Sequence, residues 1–85
     1  MYVIRDMSNV DARLINLNLL PALEALLREG SVSAAARRAH VSQSAMSHSL
    51  AKLRELFDDP LFVQTGRAMV PTPRARQLAA TLPGA

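Results

Sequence analysis

Residues 31–57 constrain the fold more than any other part of the 85-residue chain. A short alanine-rich run is followed by a three-residue turn and then by a longer segment whose apolar residues fall on one side. Ser33 is a suitable N-cap, and Ala34–Ala39 predicts a short helix whose small side chains let a second helix approach closely. His40-Val41-Ser42 predicts a tight turn with Val41 buried, and Ser42 is a good N-cap for a helix over about Gln43 to Phe57. At roughly 100° per residue, Met46, Leu50, Leu53 and Phe57 share one narrow stripe. The opposite side carries Ser44, Ser47, His48 and Ala51, then Lys52 and Glu55. One face is therefore core, and the other is small, polar and rich in hydrogen-bonding groups. Asp58-Asp59-Pro60 ends the helix, because proline disfavours helix for the residue before it.

The flanking segments complete a small domain. Asn16 or Asn18 can cap an earlier helix with Leu19, Leu20, Leu23, Leu26 and Leu27 as a broad apolar stripe, Pro21 in its first turn and Gly30 as its stop. After Pro60, two short strands are expected at Leu61–Thr65 and Ala68–Val70, joined by Gly66-Arg67. Alternation along the first of these sets Leu61, Val63 and Thr65 against Phe62 and Gln64. Thr72 caps and Pro73 starts a last helix, from Arg74 to about Leu82. Residues 1–15 show no clear period and read as a leader, 16–71 as the domain, and 72–85 as the start of a further helix.

Charge and composition narrow the function. The segment from Met1 to Glu29 has a net charge of −1, whereas Gly30 to Ala85 has +4, with three arginines and no acid after Asp59. A one-sided basic surface suits a polyanionic partner. Cysteine is absent, which excludes a disulfide scaffold and a thiolate metal site and suits the cytoplasm. No apolar stretch approaches a membrane span, and Met1–Val10, with Arg5 and Asp6, lacks the apolar core of a secretion signal.

An enzyme reading finds no support in the residues. Asp58 and Asp59 are adjacent in a turn rather than spaced as an acid/base pair. His48 has no evident carboxylate to orient it, and His40 with His48 makes no convincing metal pair. No phosphate-binding glycine loop exists among three glycines. No catalytic residue, cofactor or metal is expected.

The order short helix, turn, polar-faced helix is the helix-turn-helix plan, and the trailing hairpin makes it a winged version. In that plan the N-terminal half of the second helix enters the DNA major groove. Gln43 can pair with adenine, while Ser44, Ser47 and His48 can bond to several bases. Helix N-termini beginning near Ser33 and Ser42 suit phosphate oxygens, as does Arg67 at the hairpin tip, with Thr65 beside it. A second reading keeps the fold as a protein-interaction or dimerisation module. The small polar face from Gln43 to His48, together with Arg67, distinguishes the two, since an interaction module has no need of it.

The run Gly30-Ser-Val-Ser-Ala-Ala-Ala-Arg-Arg-Ala-His-Val-Ser-Gln43, with Ala45-Met46-Ser47, Leu53-Arg54, Asp59-Pro-Leu-Phe62 and Thr65-Gly-Arg67, resembles the N-terminal DNA-binding domain of LysR-type transcriptional regulators. The run from Leu53 to Arg67, followed by Met69-Val-Pro-Thr-Pro-Arg74, is similar to the branch that includes nodulation and aromatic-degradation regulators. The resemblance spans about Asn16 to Leu82. It implies a mainly α winged helix-turn-helix, with a three-helix core, a hairpin wing and a C-terminal linker helix that dimerises. Double-stranded DNA with two half-sites is the implied partner, bound by a homodimer that can assemble into a tetramer in full-length regulators. A small-molecule inducer would act through a C-terminal sensing domain that these residues do not include.

Carried over by position, the resemblance assigns base reading to Gln43, Ser44, Ser47 and His48, and backbone contacts to Ser31, Ser33, Ser42 and Arg67. Members commonly have proline where Ser44 stands, and arginine where His48 and Gln64 stand. At position 48 the histidine shortens the reach and trades a fixed charge for an imidazole.

Overall fold

The computed structural model describes residues 19–66 and 68–81. The expected leader, the caps at Asn16 and Asn18, and Arg67 and Leu82 lie outside the described residues. Among the described residues, four helices and one antiparallel hairpin follow one another in the order α1 (Leu20–Glu29), α2 (Val32–Ala39), α3 (Gln43–Phe57), β1 (Phe62–Thr65), β2 (Ala68–Pro71) and α4 (Pro73–Ala79).

α1 forms where leucine and alanine recur on one face, and it buries Ala22, Leu23, Ala25 and Leu26. Leu20 stays 36% exposed and Leu27 only half-buried, so the stripe is narrower than the leucine pattern predicts. Pro21 occupies the first turn, where its missing N–H breaks no helical bond. Gly30 ends the helix in the left-handed region, φ 73°, donating its N–H to the Leu26 carbonyl at 2.9 Å.

α2 starts earlier than expected. Ser31, not Ser33, is its N-cap: Ser31 is extended, and its Oγ accepts from the Ala34 N–H at 3.1 Å. Ser33 already lies within the first helical turn and cannot cap it. His40 closes α2 at φ 58°, and the Val41 N–H donates to the Ala36 carbonyl at 3.0 Å. The chain thus turns over the surface, leaving Val41 45% exposed rather than buried. Ala35 and Ala36 are buried against the neighbouring helices, as small side chains in a close crossing should be.

α3 has the expected bounds. The Ser42 Oγ accepts from the Ala45 N–H at 3.0 Å, and Met46, Leu50, Leu53 and Phe57 are 5% exposed or less. Asp58, at φ 51°, provides the left-handed stop, a conformation that aspartate tolerates better than most side chains.

The hairpin differs from its sequence reading. Leu61 adopts φ 61° and sinks its side chain completely into the core, so β1 begins one residue later. That kink resets the alternation. Phe62 points inward beside the buried Leu61, whereas Val63 is 46% exposed, so strict alternation does not hold across Leu61. β2 runs one residue longer than expected, to Pro71, with register Phe62↔Pro71, Val63↔Val70, Gln64↔Met69 and Thr65↔Ala68. α4 is capped by Thr72, whose Oγ1 accepts from the Ala75 N–H at 3.1 Å. It ends at Ala79, short of the expected Leu82.

One apolar core joins all the helices and the base of the hairpin, with Leu26, Met46, Leu53 and Leu61 its largest fully buried side chains. Fully burying such a side chain is worth about 1.5–3 kcal/mol. Among the described residues no polar or charged residue is buried, so polar chemistry is confined to the surface. No described helix is long and apolar enough to cross a membrane.

Candidate nucleic-acid interface

Because α3 turns its apolar stripe inward, Gln43, Ser44, Ser47 and His48 are all exposed. They occupy its first two turns, the end nearest the helix-turn-helix connection. Ser42 precedes them as cap, with its Oγ 3.3 Å from the Ser44 Oγ and within hydrogen-bonding range. The two caps at Ser31 and Ser42 each satisfy one of the first-turn amides that have no partner within their helix.

The hairpin brings a third wall. Ser31, Val32, Ser33, Gln43, Ser47, Gln64 and Met69 line one recess, between the starts of α2 and α3 on one side and the hairpin on the other. Four of the sequence-predicted residues, Ser31, Ser33, Gln43 and Ser47, therefore meet in one place. Ser44, His48 and Ser42 are exposed beyond its edge on α3, and Thr65 is exposed beside the hairpin turn.

Gln64 was not among the predicted site residues. Its Nε2 donates to the Gly66 carbonyl at 3.2 Å, bracing the hairpin turn, while its side chain also lines the recess. The signal for it was strand alternation counted from Phe62: positions 62 and 64 share one face of β1. Arg54 and Asp59 were also missed as side chains with specific partners. The Arg54 Nε donates to the Pro60 carbonyl at 2.7 Å and its Nη2 to the Phe62 carbonyl at 3.0 Å. Asp59 Oδ2 accepts from the Leu61 N–H at 2.7 Å and from the Thr72 hydroxyl at 2.8 Å. The bond from Asp59 to the amide two residues on is local chemistry that aspartate favours. The others join residues that no periodicity connects.

The last helix is committed differently from its sequence reading. On the helix expected to pair with a second copy, Leu78 is 6% exposed and packs into this chain's own core. The Arg74 guanidinium lies over the Phe57 ring, 5.7 Å from its centroid, and ties α4 to the end of α3.

Comparison with known proteins gives a consistent result. The family model described as bacterial regulatory helix-turn-helix protein, lysR family, matches residues 17–76. Nodulation protein D 1 of Bradyrhizobium sp. (strain NC92) is 54% identical over 68 residues, 80% of this chain and 22% of that protein. Nodulation protein D 1 of Rhizobium meliloti (strain 1021) is 54% identical over 65 residues, 76% of this chain and 21% of that protein. The chain thus spans about a fifth of the length of these curated relatives. Among solved structures, a probable transcriptional regulator from Pseudomonas aeruginosa superposes with a TM-score of 0.76 at 46% identity, over 85% of this chain and 24% of that one. Another, a LysR family transcriptional regulator, gives a TM-score of 0.66 at 28% identity, over 74% and 22% of the two chains.

Proposed function

From this chain's place in the lysR family of bacterial regulatory helix-turn-helix proteins, to which it belongs, we propose that it binds double-stranded DNA sequence-specifically as part of a transcriptional regulator. The observation that carries this reading is the open polar flank of α3, sharing one recess with the start of α2 and with the hairpin. A major groove about 12 Å wide accepts one helix, and the small side chains of α3's first turns keep its backbone close to the base edges. Gln43 is suited to bond bidentately to adenine, and Ser44, Ser47 and His48 read neighbouring bases. Ser31, Ser33 and Ser42, with the amides beside them, take phosphate oxygens. Thr65 and Arg67 meet the backbone or the adjacent minor groove from the hairpin.

The chain works in this reading as a homodimer in the cytoplasm, with its two copies of α3 meeting half-sites about 34–36 Å apart. Because Leu78 belongs to the monomer's core, a partner copy is met by the outward side of α4 and residues beyond it. Response to a small-molecule inducer and any assembly into tetramers belong to regions outside these 85 residues. An interaction module that reads no DNA would leave the polar flank of α3 unexplained.

Selection of bound duplexes from a random pool tests this reading. The expected product is a pair of related half-sites one helical turn apart. Recovery of no preferred sequence would overturn it.

A further inference from the structure

The two sides of the recess belong to different elements, and something must hold them in register. Taking 100° per residue, Arg54 projects from the same flank of α3 as Gln43 and Ser47, two turns beyond Ser47. From there its guanidinium grips the carbonyls of Pro60 and Phe62, which bracket the start of the hairpin. Across the same junction, Asp59 holds the Leu61 amide before β1 and the Thr72 hydroxyl after β2. The Thr72 N–H in turn donates to the Leu61 carbonyl at 2.9 Å. Both ends of the hairpin are thereby pinned to the last turns of α3. The junction holds Leu61, a non-glycine residue, at φ 61°, a conformation that persists only where its surroundings over-determine it.

We propose that Arg54 and Asp59 are positioning residues that set the hairpin's pose against α3, so that the two meet one stretch of DNA as a rigid unit. The DNA half of this statement rests on the function proposed above. A planar guanidinium reaches two carbonyls at once through a fixed fork, which a lysine ammonium on a flexible stem does not reproduce.

The absence of cysteine makes the pose measurable, because Lys52→Cys and Val70→Cys place one spin label on α3 and one on β2 at exposed sites. In the doubly labelled chain, electron-electron distance measurements are expected to give one narrow distribution. Arg54→Lys should broaden it while the far-ultraviolet circular dichroism stays unchanged. Asp59→Asn, a milder variant, should broaden it less and keeps the test decisive if Arg54→Lys does not fold. A distribution unchanged in the folded variants overturns the proposal, whatever happens with DNA.

On the duplex selected by the unaltered chain, Arg54→Lys should weaken binding about tenfold, and adding Arg67→Ala should then cost almost nothing more. If Arg67→Ala costs the same factor in both backgrounds, the rigid-unit statement fails. Broadened distances in a chain that selects no duplex would uphold the positioning role and reject the DNA reading instead.

Discussion

The two faces of α3 make an instructive pair. Met46, Leu50, Leu53 and Phe57 are 5% exposed or less, whereas Gln43, Ser44, Ser47 and His48 on the same helix are open to solvent. The inner face is constrained by volume: its side chains must fill a shared core with Leu26 and Leu61 at crystal-like density. The outer face is constrained by reach and bonding capacity, and its residues contribute little to holding the monomer together. If the outer face reads DNA as proposed, the helix separates stability from recognition around its axis, and substitutions on the two faces should fail in different assays.

The largest effect should come from the inner face. Leu53→Ala, at a fully buried position, should lower unfolding free energy by about 2–5 kcal/mol in a urea titration. A loss below about 1 kcal/mol would mean that the helix is not seated as described. Gln43→Ala should do the reverse, leaving the urea midpoint in place and weakening binding to the selected duplex by about 1–3 kcal/mol. Equal weakening on unrelated DNA would remove Gln43 from base reading and blur the contrast between the faces.

The caps sharpen the comparison because they serve both ends of it. Ser31→Ala should cost about 1 kcal/mol of stability, while Ser33→Ala, which removes no cap bond, should cost less than about 0.5 kcal/mol. Reversed values would restore Ser33 as the start of α2. The smallest effect is expected far from either face. Arg38 pairs with Glu29 at 3.0 Å between two accessible side chains, so Arg38→Ala should change stability by at most about 0.5 kcal/mol, and by less in high salt.

Legibility differed sharply along the chain. The bounds of α3, the stop at Gly30 and the caps at Ser42 and Thr72 were legible because each depends on residues within one helical turn. The start of α2 was misplaced by two residues, because Ser31 and Ser33 are equally good caps as residue types. The extended backbone after Gly30 chose between them. The hairpin was legible, and so was the packing of one strand face, but not which face. Alternation assumes a continuous strand, and the left-handed Leu61 breaks it just before β1. Of the candidate site, the α3 flank followed from periodicity alone. Gln64 shares a strand face with Phe62 by alternation, but its place in the recess, like the carbonyl partners of Arg54, came only with the fold.

Local pattern by itself determined that this chain makes a helix-turn-helix followed by a hairpin, and which side of α3 faces outward. Periodicity, caps and breakers act over three or four residues, so no distant partner is needed to read them. Tertiary structure alone decided that Leu78 is spent inside the monomer, that Val41 lies on the surface, and that Arg54 and Asp59 pin the hairpin to α3. Those outcomes depend on which side chains and carbonyls meet across the fold, and spacing along the chain carries no record of such meetings.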